Sequence, residues 1–258
     1  MFLGMRQLKS SSAHVKPLKN GESPSGIIPC QTATGGVESM TRQRIDLSDP
    51  KNLIGVIGWM VIGDGSLALN GRQKNAYFQL VHSEECEDYI RMKEAILSQV
   101  SGVRVKKYWH SRSGKYFWQL ITQCHPVYTQ LRQGIYLNKR KTITPHSVKT
   151  LNEAALAILY QDDGRFNMGK SVISINKPLF SVPELELLSK EIVDKFGIIF
   201  RVRRSCTLKD GTIGHELGLR YSDKDKFFDL IKPYIVPSMR YKVTSGGTRK
   251  SDEVLRTA

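Results

Sequence analysis

Residues 53–65 have the sequence LIGVIGWMVIGDG, and residues 152–164 have the sequence NEAALAILYQDDG. Each stretch is an apolar run that ends in Asp-Gly, and aligning the two Asp-Gly pairs also aligns small residues with small residues. Residues three apart lie on one face of a helix, so the pattern predicts two buried helices in close contact. The small residues expected at this contact are Gly55, Gly58, Ala154 and Ala157.

Each predicted helix delivers an acidic residue at its C-terminal end, Asp64 in the first and Asp163 in the second. Two neighbouring carboxylates repel each other, and each also meets the partial negative charge of a helix end. A divalent cation offsets both effects, and Mg²⁺ held by one or two carboxylates and substrate phosphates is usual in phosphodiester chemistry. We therefore predict that the two acids bind metal. The alternative is that each Asp-Gly only ends a helix and turns the chain into a strand.

The charge of the chain restricts the class of partner. The 258 residues carry a formal net charge of +15 and have a sequence pI of about 9.7. Such a balance favours a polyanion, with nucleic acid ahead of an anionic membrane surface. Since no apolar run reaches the roughly 18 residues that span a bilayer, a soluble chain without a membrane partner is expected.

The four cysteines lie far apart and never form Cys-x-x-Cys, which excludes the common zinc and haem motifs. They are expected to be reduced and mostly buried, in an intracellular reducing compartment that is either cytoplasmic or organellar. The six histidines show no ligand spacing. The cysteines are Cys30, Cys86, Cys124 and Cys206.

Both halves of the chain have the same predicted order of elements: helix, hairpin, helix, hairpin, helix. The expected fold class is α+β, with two pseudo-symmetric αββαββα halves. Each half would be a four-stranded antiparallel sheet with helices on one face, and the two Asp-bearing helices would form the joint. The predicted parts are a flexible N-terminal extension over residues 1–47, a first half over 48–148, a second half over 149–244 and a C-terminal tail over 245–258.

The second hairpin of each half has alternating residues that would leave basic side chains on the face away from the helices. Val103 and Val105 would point inward, with Arg104 and Lys106 outward. Such a face fits the major groove of DNA. The candidate DNA-binding residues are Arg72, Gln73, Lys74, Arg104, Lys106, Arg112, Lys115, Arg165, Asn167, Arg201, Arg203, Lys209 and Arg220. Base stacking by aromatic residues is the less favoured reading, and core packing is expected instead for Tyr108, Trp109, Tyr116 and Trp118.

At this point the sequence resembles the LAGLIDADG homing endonucleases in their single-chain form with two motifs. The resemblance is carried by both Asp-Gly runs, by residues 230–242 (LIKPYIVPSMRYK) and by Lys141-Thr142-Ile143. It covers about residues 48–244. In this family the Asp before the final Gly binds metal, which the likeness transfers to Asp64 and Asp163. Basic residues beside the scissile phosphates correspond to Lys141 and Lys242, which lie 77 and 79 residues after these acids.

The resemblance implies a site-specific, staggered double-strand break in a long DNA target, made by metal-dependent hydrolysis that leaves 3′ overhangs. Mg²⁺ would support cleavage, and Ca²⁺ would support binding without cleavage. The catalytic residues would be Asp64, Asp163, Lys141 and Lys242, with Asp162 in a structural role. Two motifs in one chain imply a monomer with internal pseudo-twofold symmetry.

One departure from the family pattern concerns the third motif position, which is usually Gly but is Trp59 here and Ile158 in the second copy. The small residue comes one position earlier, so we expect Gly58 to set the helix contact. Two other functions fit the same scaffold: a group I intron RNA maturase, and a catalytically inactive DNA-binding regulator. The presence of both acids favours the nuclease.

Overall fold

The structure, a computed structural model, describes residues 45–71, 73–167, 172–176 and 180–244. In the first half the elements are α1 (Pro50–Ile62), β1 (Ser66–Leu69), β2 (Ala76–Ser83), α2 (Glu87–Leu97), β3 (Val103–His110), β4 (Lys115–Thr122), α3 (Pro126–Ile135), β5 (Tyr136–Leu137), β6 (Arg140–Lys141) and α4 (Pro145–Lys149). In the second half they are α5 (Glu153–Asp163), β7 (Gly164–Asn167), β8 (Val172–Asn176), α6 (Val182–Phe196), β9 (Phe200–Thr207), β10 (Ile213–Leu219) and α7 (Lys224–Ile231), followed by a 3₁₀-helix, Pro237–Lys242.

The two halves contain equivalent sheets, which confirms the predicted α+β fold. The strand order is β1-β2-β4-β3 in the first sheet and β7-β8-β10-β9 in the second, and every pairing is antiparallel. The register is also equivalent, since Ser66 pairs with Gln79 in the first half and Arg165 pairs with Ser174 in the second. Helices α2 and α6 pack on their own sheets.

Helices α1 and α5 pack against each other and connect the two halves. Each begins at a side-chain cap that satisfies an otherwise free backbone N–H: Asp49 accepts from Lys51, and Asn152 accepts from Ala155. Both helices are buried nearly all round, as their apolar sequences predict. The hydrophobic core is continuous through both halves, so the proposed boundary at residues 148 and 149 remains a prediction.

A short hairpin and a helix between the halves were not predicted. Strands β5 and β6 are joined by Asn138 and Lys139, whose φ angles of 50° and 64° form the left-handed two-residue loop typical of tight hairpins. This hairpin carries Lys141 at its end. The predicted strand residues Met168 and Ser171 lie outside the described residues, as do most of the predicted N-terminal extension and all of the predicted C-terminal tail.

Two of the four aromatic residues expected in the core are exposed, which corrects that prediction. Trp109 is 54% exposed and Tyr116 is 44% exposed, whereas Tyr108 and Trp118 are half-buried. The alternation places Trp109 and Tyr116 on the same side of the sheet as buried Leu120, but at the far end of the β3–β4 hairpin. They contact each other edge to face, with ring centroids 4.9 Å apart.

The cysteines within the described residues are free thiols: Cys86 is buried, Cys124 is half-buried and Cys206 is exposed. The expectation of mostly buried cysteines is therefore wrong for Cys206. Cys30 lies outside the described residues. Within the described ranges, no helix has the length and apolar character required to cross a membrane.

Candidate active site

Helices α1 and α5 end beside each other and bring three carboxylates to one place. Asp64 follows α1 and has a side chain that is 40% exposed, whereas Asp163 is the last residue of α5 and is half-buried. The buried hydroxyl of Tyr89 on α2 is affected electrostatically by all three carboxylates. Burial raises the pKa of Tyr89 well above its ordinary value, and the negative charges of Asp162, Asp64 and Asp163 raise it further. Both acids predicted to bind metal therefore act electrostatically on the Tyr89 hydroxyl.

Asp162 lies at the centre of this region and is fully buried. Its Oδ1 accepts hydrogen bonds from the Tyr89 hydroxyl and from the Lys93 ammonium, both at 2.7 Å. Its Oδ2 accepts from the backbone N–H of Asp64 at 3.1 Å. Burial alone would raise the pKa of the Asp162 carboxyl, but Lys93, His82 and the Tyr89 hydroxyl together hold that pKa below its usual value. The Asp162 carboxyl is therefore held in its charged form although its side chain is buried.

His82, the last core-facing residue of β2, lies between two of the carboxylates. Its Nδ1 is 3.9 Å from Asp64 Oδ2, and its Nε2 is 4.0 Å from Asp162 Oδ1. One ligand atom from each of the three side chains lies within 4.8 Å of the others, a spacing that can hold a metal ion. Because the Asp162 side chain is buried and paired with Lys93, the exposed carboxylate of this group is that of Asp64.

The two candidate lysines contact carbonyl groups at the ends of the two helices. The Lys141 ammonium donates to the carbonyl of Gly63 at 2.8 Å. The Lys242 ammonium donates to the carbonyls of Gln161 at 2.6 Å and Asp162 at 3.4 Å. Positive charge at these positions offsets the partial negative charge of each helix end. The lysines are thus equivalently placed, although Lys242 is buried and Lys141 is half-buried.

The close contact between the helices does not involve Gly58, which corrects the sequence prediction. A Cβ built on Gly58 would meet Leu131 and Ile135 of α3, and one built on Gly55 would meet Thr150 before α5. Gly63 is the glycine that faces α5: a Cβ there would lie 2.1 Å from Asp162 Oδ2. Ala154 and Ala157 are buried on α5, and their part in the helix contact remains a prediction.

The predicted DNA-binding residues of the first half lie on β3 and in two loops. Gln73 and Lys74 are exposed between β1 and β2, and Gln73 accepts a hydrogen bond from the Cys124 thiol. Exposed Arg104 and Lys106 alternate with half-buried Val103 and Val105, as predicted. Arg112 and Lys115 are exposed at the turn of the β3–β4 hairpin, and Arg72 lies outside the described residues.

In the second half, a buried glutamate organises two of the predicted arginines. Glu216 accepts from Arg165 Nη2 through both carboxylate oxygens, at 2.9 and 3.2 Å, and its Oε1 is 3.2 Å from Arg203 Nε. Arg165 also donates to the Ser174 hydroxyl at 2.9 Å. Both guanidinium groups remain partly exposed on the sheet.

The other DNA-binding candidates of the second half are three exposed residues and Arg220. Asn167, Arg201 and Lys209 are exposed. Arg220 forms two hydrogen bonds with Asp223, at 2.6 and 3.1 Å, so its charge is already paired within the second half. This ion pair does not support the prediction that Arg220 binds DNA.

Sequence reasoning missed His82, Tyr89 and Lys93 as parts of the site. Two signals pointed to them. His82 continues the core-facing series of β2 after Phe78 and Leu80, where a polar residue is unusual. Lys93 falls in the apolar stripe of α2, where a lysine must find a buried acid. The acid comes from the other half of the chain, so the sequence of α2 alone does not reveal it.

Comparison with known proteins agrees with the fold. The sequence model of the LAGLIDADG DNA endonuclease family matches residues 54–216. The chain is similar to DNA endonuclease I-ChuI of Chlamydomonas applanata, with 27% identity over 222 residues, which is 81% of this chain and 97% of that protein. Among solved structures, it is similar in fold to the homing endonuclease I-WcaI bound to its DNA recognition sequence. That likeness has a TM-score of 0.63 at 21% identity, and it covers 76% of this chain and 88% of the other.

A further relative is Protein RecA of Mycolicibacterium flavescens, which is 28% identical over 235 residues. The matched region is 85% of this chain but only 52% of that protein. The chain thus spans about half the length of several curated relatives that it matches.

Proposed function

Since this chain belongs to the LAGLIDADG DNA endonuclease family, we propose that it is a site-specific homing endonuclease that cuts both strands of a long DNA target. One observation carries the proposal: two helix ends meet with an acid at each, Asp64 and Asp163, and with a lysine ammonium on each helix terminus. Two acids and two lysines in near symmetry match a reaction on two phosphodiesters. The cuts are expected to be staggered and to leave 3′ overhangs.

The donor set fits a divalent cation. Asp64 and Asp163 offer carboxylate oxygens beside two helix C-termini, where negative charge accumulates and a cation is favourable. We propose Mg²⁺, held by Asp64 and Asp163, with Ca²⁺ supporting binding alone. A bound Mg²⁺ would polarise the scissile phosphate and lower the pKa of an attacking water.

The lysines complement the acids. Lys141 and Lys242 hold positive charge beside the helix ends, where the negative charge of a cleaved phosphate would develop. A fixed charge in that position stabilises the transition state without reorganisation. The carbonyl contacts of both ammonium groups restrict their motion and so favour this role.

The exposed basic residues of the two sheets suit double-stranded DNA as the partner. Arg104 and Lys106 are exposed on alternate positions of β3, and Arg201 has the equivalent position on β9. A two-stranded ribbon of this kind fits the major groove. Arg165 and Arg203 keep guanidinium donors for base edges or phosphates. With both halves in one chain, the proposed enzyme acts as a monomer.

The test uses purified protein, Mg²⁺ and duplex DNA containing the uninterrupted sequence that flanks the insertion site of its gene. Cleavage of both strands at one position is expected. Asp64→Asn and Asp163→Asn should abolish cutting and leave DNA affinity in Ca²⁺ nearly unchanged. Binding of the intron RNA without any DNA cleavage would favour a maturase instead. Specific DNA binding without cleavage under all metal conditions would favour a regulator.

A further inference from the structure

The aligned positions 63 and 162 break the symmetry of the site. The first helix has Gly63 at this position and the second has Asp162. The Asp162 carboxylate occupies the space that a side chain on residue 63 would need, since a Cβ there would lie 2.1 Å from Oδ2. Because glycine has no side chain, it cannot return an equivalent contact to the second half. The side-chain contacts that Asp162 makes with the first half therefore have no equivalent made by residue 63 with the second half.

Within the described residues, the Asp162 carboxylate accepts its hydrogen bonds from the first half. Its donors are the Tyr89 hydroxyl, the Lys93 ammonium and the backbone N–H of Asp64. Both members of the Asp162–Lys93 ion pair have fully buried side chains. Burying two charges carries a large desolvation cost, so such a pair often contributes little net stability. Its position beside a candidate metal ligand points to a role in geometry.

The same pair orients His82. The Lys93 ammonium lies 3.3 Å from His82 Nε2 and can only donate, so Nε2 must accept. In the neutral ring the proton is then on Nδ1, which faces Asp64 Oδ2 at 3.9 Å. Asp162 thus binds the backbone N–H of Asp64, and the Nδ1–H of His82 points toward the Asp64 carboxylate. The bond from Asp162 fixes the backbone of Asp64, and the His82 N–H attracts the Asp64 carboxylate, whose side chain is 40% exposed.

We propose that Asp162, with Lys93 and His82, is a positioning network that acts on the half-site of Asp64 alone and so on the cleavage of one DNA strand. This inference rests on the proposed nuclease function. It differs from a general role in stability, which would affect both strands equally. It also predicts unequal strand cleavage from an enzyme whose acids and lysines are nearly symmetric.

The test measures each strand separately. A duplex containing the position that the wild-type protein cuts has a different fluorophore on each 5′ end, and single-turnover rates are recorded with Mg²⁺ for the wild type and for Asp162→Asn. Asparagine has the size of aspartate but has one acceptor oxygen instead of two, and it carries no charge. It therefore cannot accept from the Asp64 N–H and also from Lys93 and Tyr89, as the carboxylate does. The ratio of the two strand rates should change by about tenfold or more, with duplex cut in one strand accumulating as an intermediate.

His82→Gln is the second variant, since it removes the imidazole without leaving a buried carboxylate unpaired. It should slow the same strand. Asp223→Asn, which changes a buried acid remote from the joint, is the matched control and should leave the strand ratio unchanged. DNA affinity in Ca²⁺ reports folding for every variant.

Equal slowing of both strands, or an unchanged strand ratio in His82→Gln, would overturn the positioning role. If Asp162→Asn fails to bind DNA, the strand ratio of His82→Gln decides alone. Absence of cleavage by the wild-type protein would instead refute the nuclease function, so the two failures are distinguishable.

Discussion

The carboxylate of Asp162 fills the space beside Gly63 in which any other residue would place its side chain. The contact joins the two halves at the point where α1 ends. Asp162 also bonds to the backbone of Asp64, so the same contact sets the position of a proposed metal ligand. Gly63 and Asp162 are therefore complementary, and each restricts which residue types the other position tolerates.

Gly63→Ala should destabilise the protein, whereas Gly58→Ala should not. A Cβ at residue 63 would lie 2.1 Å from one oxygen of a carboxylate that three donors hold in place, and overpacking of this kind costs about 1–3 kcal/mol. At residue 58 the nearest atom is 3.5 Å away, an ordinary contact. Alanine there should stabilise the helix by about 0.5–1 kcal/mol. Urea unfolding followed by tryptophan fluorescence measures both. Equal losses would contradict the assignment of Gly63 to the joint.

Lys141→Met and Lys242→Met should each slow DNA cleavage by about 10²-fold or more, because each removes a fixed positive charge from the reacting phosphate. DNA affinity in Ca²⁺ should change little. Lys242→Met should also lower stability by about 1–3 kcal/mol, since the buried ammonium satisfies a carbonyl at the end of α5. Exposed Lys149→Met is the control for loss of charge. A cleavage rate within twofold of the wild type would exclude these lysines from catalysis.

Glu216→Gln should reduce sequence discrimination more than affinity. The glutamate holds Arg165 and Arg203 in defined positions, and a well-placed bidentate arginine contributes about 1–3 kcal/mol of discrimination between bases. Loss of a negative charge should strengthen non-specific binding. The measurement compares dissociation constants for the cognate duplex and for duplexes with single substitutions, with exposed Glu186→Gln as control. Unchanged discrimination would indicate that both arginines contact only phosphates.

Asp223 should make the second half sensitive to acid. The hydrogen bond from Arg220 is the main cause that lowers the pKa of the Asp223 carboxyl below its ordinary 3.8, and the backbone N–H of Ile199 adds to it. A lowered pKa in the folded state means that the stabilisation is fully present above pH 3.8 and is lost as the pH falls through the lowered value.

Asp223→Asn should therefore be less stable than the wild type at neutral pH, and the difference should shrink below pH 3.8. Chemical denaturation across this range tests the prediction, and a constant difference would refute it. Arg220→Met should show the same loss of stability. A loss of DNA affinity without loss of stability in Arg220→Met would instead restore the original prediction that Arg220 binds DNA.

The sequence was sufficient for the two four-stranded sheets, for the helices that pack on them and for the placement of an acid at the end of α1 and of α5, because their periodicity is local. The alternation of Val103 to Lys106 and the caps at Asp49 and Asn152 lie within single elements. The matched spacing of Lys141 and Lys242 also held, although the β5–β6 hairpin that carries Lys141 was not predicted.

The rotation of α1 about its axis could not be obtained in the same way. Residues 53–65 contain glycines at positions 55, 58, 63 and 65, and any of them satisfies a rule that small residues allow close contact. The choice depends on Asp162, whose own position depends on Lys93 and Tyr89 in the other half. Interactions between residues 69 or more positions apart decide the site, and such distances leave no periodic signal.

The different residues at positions 63 and 162 affect whether each half packs against the other half or against a copy of itself. If two copies of the second half associated through α5, two Asp162 carboxylates would be buried together without Lys93. If two copies of the first half associated through α1, each Lys93 would lack its carboxylate, and two glycines would leave a void. Self-association of either half is thus disfavoured, and each half is specific for the other. Exchange of halves with a relative should succeed only when the recipient supplies the matching residue at this position.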